Sequence, residues 1–335
     1  MIAHDGTLRI VHGEHLSSVD LHGRVRWTAS LADLLPPHGA AADREENDLV
    51  CADDLPGPND EETPMDSEPS RMVPTLPAAL QGGQTLVGVA TGPIVIDAQG
   101  RLVAQASLGR IGYGGDSLNV TYAGAVVLPT YVGDGLHIWD AAGLRRVDGG
   151  GFGLDVVQPA IFADDSIGVS DYLADGFFRV RAAGGRVWTT ALRLADGVPT
   201  VDHAQRSAVS AANEDRSILF SERGEPFGEL GYAAEFAVYP DGGWIACGSE
   251  TVARLDARGR ELWRVSAVRP PGEAAGVIVD RRGTIHVRDG ASLVALDSSG
   301  AALWSLRLGA CDGPVFPVEP GRFGVVIAGA LRFVG

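Results

Sequence analysis

The sequence predicts an all-β chain wound into a single β-propeller of four-stranded antiparallel blades, and three observations predict it. A turn written Asp-x-x-Gly returns at nearly constant spacing. A tryptophan follows several of these turns, four residues after the glycine. Between turns, apolar and polar residues alternate with a period of two in runs of four to eight, bounded by Gly, Asp and Pro, which is the pattern of strands and not of helices.

The best-formed copies of the repeat span 6–31, 243–267 and 283–308, with weaker copies at 84–108, 125–147, 166–192 and 206–230. Asp at the first turn position accepts backbone N–H groups of a type I turn, and Gly at the fourth supplies a positive φ where two antiparallel strands join. The turn runs Asp20–Gly23, Asp97–Gly100, Asp140–Gly143, Asp256–Gly259 and Asp297–Gly300, and Arg181–Gly184 and Ser221–Gly224 hold the same place. Four residues past the glycine stand Trp27, Trp188, Trp263 and Trp304, with Ala104, Val147 and Gly228 in the other copies. After a first gap of 77, successive turn glycines lie 35 to 43 residues apart, the length of one four-stranded blade. The innermost strand is legible at 236–240 and 276–280. Residues 2–6 match the end of such a strand, and 315–335 read as three strands without a fourth. Eight repeats, the last incomplete, favour eight blades; seven remain open if the two ends share one. Closure into a ring removes the unpaired edges of an open stack. No stretch reads as helix.

The whole chain, 1–335, is thus expected to be one domain, interrupted between blades 1 and 2 by an acidic, proline-rich insert at 33–70. That insert holds twelve acids against Arg44 alone, so it carries −11 of the net charge of −16. The remaining −5 offers no basic patch to displace counterions from phosphates, which excludes nucleic acid as a partner. No apolar run reaches the roughly 18 residues of a spanning helix. The first residues, MIAHDGTLRI, lack a basic and then an apolar leader region, and the expectation is a cytoplasmic protein. Cys51, Cys247 and Cys311 are far apart, without CxxC or Cys/His ligand spacing, so no metal site is expected. Six prolines and few aromatics make the insert a solvated loop by default; a docking arm or a calcium loop are its other readings, although DLPGPNDEE (54–62) lacks the alternating ligands of an EF-hand.

The strings SLVALDSSGAALW (292–304) and VARLDARGRELW (252–263) resemble the pyrroloquinoline-quinone-type repeat: a Leu/Val-rich strand, Asp-x-x-Gly, then Trp. The resemblance implies a quinoprotein-like β-propeller over nearly the whole chain outside 33–70. The superfamily includes quinone-dependent dehydrogenases and outer-membrane assembly scaffolds. The dehydrogenases resemble longer, exported chains with adjacent cysteines and a calcium-ligating set, none of which this sequence matches. Quinone-dependent oxidation therefore ranks last among the readings.

Strand order puts the loops that enter each blade and the loops between its second and third strands on one face, and the short turns on the other. The variable loops are the expected bearers of function. Polar residues assigned to the starts of the innermost strands give the candidate site: His203, Asp202, Asp116, Asp155 and Glu235 as acid–base groups, and Tyr113, Asn119, Gln158, Tyr232, Glu273 and Asp312 as ligand-binding groups. His12 and His15, in the loop HGEH, reach the rim of the same face. No GxSxG or comparable nucleophile motif occurs. The leading expectation is a non-catalytic binding or scaffold propeller, monomeric and without a cofactor, that meets a protein or small ligand on its loop face. The alternative is a small-molecule lyase, isomerase or hydrolase using funnel carboxylates and a histidine.

Overall fold

A computed structural model describes residues 6–12, 14–34, 77–89, 92–106, 108, 118–129, 136–147, 159–171, 176–192, 199–211, 215–266, 277–289, 292–308, 316–319, 322–327 and 330–334. They form eight antiparallel sheets in which each strand bonds to its neighbours in chain order. Six sheets have four strands, and the first and last along the chain have three. Strands of a full blade are lettered A to D. In blade 6 they are Glu235–Val238, Trp244–Cys247, Thr251–Leu255 and Glu261–Ser266. The A strands of blades 2 to 7 lie side by side in order, so they line the axis and the D strands form the rim. Blade 1 shows strands B, C and D (Leu8–His12, His15–Val19, Val25–Ser30). The last blade shows A, B and C (Phe316–Glu319, Arg322–Ile327, Ala330–Val334), as its sequence predicts. The eight-bladed reading is the one that forms.

One expectation fails: a single helical turn, Leu31–Leu34, follows the D strand of blade 1. The Ser30 hydroxyl accepts the N–H of Asp33 at 3.2 Å, and Leu31 is fully buried. Ser-x-x-Asp ahead of an apolar pair is a helix-start signature, present in the sequence and outweighed there by the strand pattern before it.

The Asp-x-x-Gly turns fold as their chemistry dictates. Asp20, Asp97, Asp256 and Asp297 each use Oδ1 to accept the N–H groups two and four residues on, at 2.8–3.0 Å. These bonds hold the four carboxyls below the usual carboxylate value. The main cause is the N–H of Arg24, Arg101 and Arg260 at the first three, and the Ser299 hydroxyl at Asp297. Ser221 does the same work with its hydroxyl, at 3.3 and 3.2 Å. The turns between strands A and B repeat the same pair of backbone bonds at Thr121–Gly124, Phe162–Asp165, Asp202–Gln205, Tyr239–Gly242 and Asp280–Gly283. One face of the propeller is therefore paved largely with one turn type, the described exceptions being the 3-10 turn Gln81–Gly83 in blade 2 and the C–D turn of blade 3.

These turns are also where each blade grips the next. The indole Nε1 of Trp27 donates to the carbonyl of Ala98 at 2.7 Å, that of Trp188 to Glu222 at 3.0 Å, and that of Trp263 to Ser298 at 2.8 Å. Each acceptor is the second residue of the following blade's C–D turn. The indole lies flat on that turn's glycine: a Cβ at Gly100 would stand 2.9 Å from Trp27, and one at Gly224 2.7 Å from Trp188. Those glycines serve twice, giving the positive φ and the room for the ring.

Blade 3 departs from the sequence alignment. Its C and D strands, Leu136–Asp140 and Gly143–Arg146, pair Asp140 directly with Gly143, so the turn is one residue shorter than its counterparts. Arg145, not Val147, then takes the tryptophan's place opposite Ile138, and its guanidinium donates to the Ala182 carbonyl at 2.5 Å. Where blade 5 has Gly228, Arg206 reaches across to the Ala257 carbonyl instead. Arg179 and Arg254 reinforce the indoles, donating to Glu222 and Ser298 at 3.1 and 2.9 Å while lying over the Phe162 and Tyr239 rings. Where blade 2 has Ala104, Trp139 of blade 3 packs into the same apolar cluster.

The last of these interfaces is built differently. Buried His286 lies 4.5 Å from the Phe323 ring of blade 8 and 5.6 Å from Trp304. Its Nε2 is 3.6 Å from Asp280 Oδ2, beyond hydrogen-bond reach. Burial pushes its pKa below the usual histidine value, with Asp280 opposing.

Two outcomes follow from these contacts. Trp188→Ala should cost about 3 kcal/mol in urea unfolding, as a large ring and its hydrogen bond leave an interface. Gly143→Ala, with open space around its Cβ, should cost only the roughly 1–2 kcal/mol of a left-handed backbone, and Gly224→Ala clearly more, because the new methyl collides with Trp188. At His286 the folded pKa lies below the unfolded one, so its contribution is present above about pH 6.5 and fades as pH falls through the folded value. The melting temperature of His286→Leu should accordingly fall less than that of the parent chain between pH 7 and pH 5.

Candidate functional site

Of the candidate residues, Asn119, Asp202, His203, Tyr232 and Glu235 fall among the described ones; Tyr113, Asp116, Asp155, Gln158, Glu273 and Asp312 lie outside them. Asp202 and His203 are not where the sequence alignment put them. Strand A of blade 5 is only Thr200–Val201, so both residues follow it, in an A–B turn on the paved face and away from the loop face. Gln205 takes the left-handed position of that turn with φ 61, a place usually given to glycine, which hid the turn. The Asp202 carboxylate accepts the N–H groups of Ala204 and Arg206 at 2.9 and 2.8 Å and pairs with the Arg206 guanidinium. It thereby aims Arg206 at the next blade. His203 is exposed beside it.

Asn119 does begin an A strand, Asn119–Val120 of blade 3. Its Nδ2 donates to the Pro159 carbonyl just before strand A of blade 4, a link within the innermost ring. Thr200 makes the matching link to the Phe236 carbonyl at 3.2 Å. Tyr232 and Glu235 stand together at the loop-face end of blade 6. Glu235 opens strand A opposite Cys247, and Tyr232 lies in the connection leading into it. The Tyr232 ring packs over Gly248 and under the Arg264 guanidinium, 5.1 Å from its centroid. Burial raises its phenol above the usual tyrosine value, with Arg264 opposing. Its hydroxyl is buried without a hydrogen-bond partner among the described residues. The Ser217 hydroxyl fastens this connection, donating to the Tyr232 carbonyl at 3.0 Å and accepting from Ala234 at 2.9 Å.

The best-formed polar cluster on the loop face is one the sequence only half shows. In blade 1 the hairpin between strands B and C pairs His12 with His15, and Ile10 with Ser17, which faces Thr28 on strand D. Cross-strand partners share a face, so His12, His15, Ser17 and Thr28 stand on one side of the blade. His12 Nε2 is 2.8 Å from Ser17 Oγ, and Ser17 Oγ is 2.8 Å from Thr28 Oγ1. The His12 and His15 rings stack with centroids 5.6 Å apart and planes 11° from parallel. Ser17 is buried and both histidines are exposed. The two histidines are apparent in HGEH; the hydroxyls supporting them become visible only once the strand register is known.

Among the described residues no three His, Cys, Asp or Glu side chains converge in a metal-binding group. No helix of the described residues is long and apolar enough to cross a membrane.

Replacing Asp202 by Ala should cost about 3 kcal/mol in urea unfolding, because it leaves the partly buried Arg206 guanidinium without its carboxylate and removes the acceptor that closes the turn. His203→Ala, at the adjacent position, should change stability by no more than about 0.5 kcal/mol.

Residues 248–325 match the sequence model of the outer membrane protein assembly factor BamB. The fold superposes on BamB from Moraxella catarrhalis with a TM-score of 0.64 at 13% identity, covering 99% of this chain and 94% of that one. It superposes on a streptogramin B lyase with a TM-score of 0.57 at 11% identity, over 77% of this chain and 92% of that one. A KlHsv2 variant with loop 6CD replaced by a Gly-Ser linker gives 0.52 at 10% identity, over 76% and 88%. No curated protein sequence matches this one. At these identities the structural likeness shows the fold alone: the chain is a β-propeller, and residues 248–325 of it are similar to the BamB family.

Proposed function

We propose that this propeller is a non-catalytic scaffold that presents its loop face to a protein partner. The fold alone does not choose, since similar propellers include an assembly factor and a lyase. The observation that carries the reading is the contrast between the two faces. The turn face repeats one hydrogen-bonded unit from blade to blade. The loop-face segments differ in length and sequence from blade to blade, and one that is described is braced: Ser217 and Asp215 fasten the connection through Tyr232 and Ala233. Varied loops on a rigid, repetitive frame suit recognition of an extended surface. Asp202, which leads the acid–base candidates together with His203, is engaged in holding Arg206.

A photo-crosslinking residue placed at Glu250, in the B–C loop of blade 6, should give a discrete adduct with a macromolecular partner in cells. The same residue placed at His203, on the turn face, should give none. Adducts from the turn face alone, or from neither face, would contradict the proposal.

A further inference from the structure

We propose that the eighth blade is completed by an extended segment of a partner protein, which adds a fourth strand along Ala330–Val334. The site lies on the rim and not on the loop face, so it goes beyond the scaffold reading and does not depend on it. Three observations carry it.

The first is an open ladder. The last sheet has three strands, and among the described residues Ala330–Val334 pairs only with Arg322–Ile327. Ile327 and Ala330 close a two-residue hairpin, so they exchange backbone hydrogen bonds with each other. The ladder alternates from there, and the N–H and C=O groups of Leu331 and Phe333 point away from the sheet. In the seven preceding blades the same edge of strand C is covered by a strand D. A row of unpaired backbone groups along an edge is a template for strand addition.

The second is a pair of grips left unmade, both at this place. Trp304 holds in blade 7 the position of Trp27, Trp188 and Trp263, opposite Ala295 on strand C. Its ring packs near His286 and Phe323, with centroids 5.6 and 6.4 Å away. Its Nε1 meets no carbonyl among the described residues, and the side chain is 39% exposed where the other three tryptophans are half-buried. On the far side, the second carbonyl of the blade 1 C–D turn belongs to Leu21. It receives no indole or guanidinium among the described residues. One strand D in blade 8 satisfies both, bringing a carbonyl to Trp304 with its leading residues and a donor of its own to Leu21.

The third is what that strand must carry. The gripping tryptophan stands opposite Ser18, Arg179 and Arg254 in blades 1, 4 and 6, always three residues past the start of strand C. The same position in blade 8 is Phe333. The incoming segment therefore runs antiparallel to strand C and sets a tryptophan or arginine opposite Phe333. A second copy of this chain fits worse. Joining Leu331 of each copy to Phe333 of the other places Arg332 against Arg332, and like charges directly opposite destabilise a sheet.

The test is binding of a synthetic peptide with the strand-D sequence of blade 6, ARGRELWRVSA (257–267), to the full chain. Fluorescence anisotropy measures affinity, and amide hydrogen exchange locates the peptide. One peptide binds per chain and slows exchange at Leu331 and Phe333. The Trp263→Ala form of the peptide binds about tenfold or more weakly, the scale of losing one buried aromatic anchor. In the protein, Leu331→Pro removes an outward N–H and abolishes binding, with a melting temperature that reports whether the blade still folds. Trp304→Phe leaves the ladder intact and weakens binding through the lost indole N–H alone. Four results would each overturn the proposal. The peptide does not bind, or binds as well without its tryptophan. The Leu331 and Phe333 amides are already slow in the chain alone, so the chain covers its own edge. The chain is a dimer that Leu331→Pro dissociates, so a second copy covers it.

Discussion

The contact on which the rest of this propeller depends is the grip of one blade on the next blade's C–D turn. A C–D turn, in most blades closed by an aspartate or serine side chain, presents its second carbonyl outward, and a planar donor from the preceding blade meets it. Trp27, Trp188 and Trp263 supply an indole, and Arg145 and Arg206 a guanidinium. Indole and guanidinium share what the position needs, a flat face to lie against the neighbouring blade and an N–H in its plane. This explains why the tryptophans are repeated without forming a binding surface. It also explains why large polar residues such as Arg9 and Arg179 are buried in a fold whose cores are otherwise apolar. Arg9, fully buried, joins blades 1 and 2 through Thr85 Oγ1 at 3.2 Å and the Gly83 carbonyl at 3.3 Å, with its guanidinium over Trp27.

That division of labour shapes where function can lie. The turn face is committed to closure: Asp202 to Arg206, Asp241 to Arg254, Asp164 to Arg179. Carboxylates that would look catalytic in a cleft are here the anchors of arginines that reach across blades. The loop face has no such common duty, and it carries the His12–Ser17–Thr28 chain and the Tyr232 packing.

What was legible in the sequence follows from this chemistry. The C–D turns could be read because the glycine recurs at one spacing and most of them begin with Asp. The A–B turns share their geometry, but of those described only Asp280–Gly283 spells Asp-x-x-Gly; the others begin with Thr121, Phe162, Asp202 or Tyr239, and two put Asp165 or Gln205 in the left-handed place, so no common motif marks them. Asp202 and His203 were misplaced for that reason: a two-residue strand, Thr200–Val201, leaves too little alternation to fix where it ends. The exchange of tryptophan for Arg145 was hidden by a turn one residue short. Asn119 could be assigned to the start of its strand, but its bond to Pro159 joins residues forty apart and depends on the ring. The hydroxyls behind His12 likewise need the register of three strands, which composition does not supply.

The central claim is that these grips make the blades one cooperative unit, and indole hydrogen exchange tests it most directly. In native-state exchange followed by NMR, the Nε1–H protons of Trp27, Trp188 and Trp263 should exchange only through global unfolding, with a common free energy equal to that from urea denaturation. If the three exchanged with separate and much smaller free energies, blade by blade, the grips would be incidental contacts and the account would be wrong.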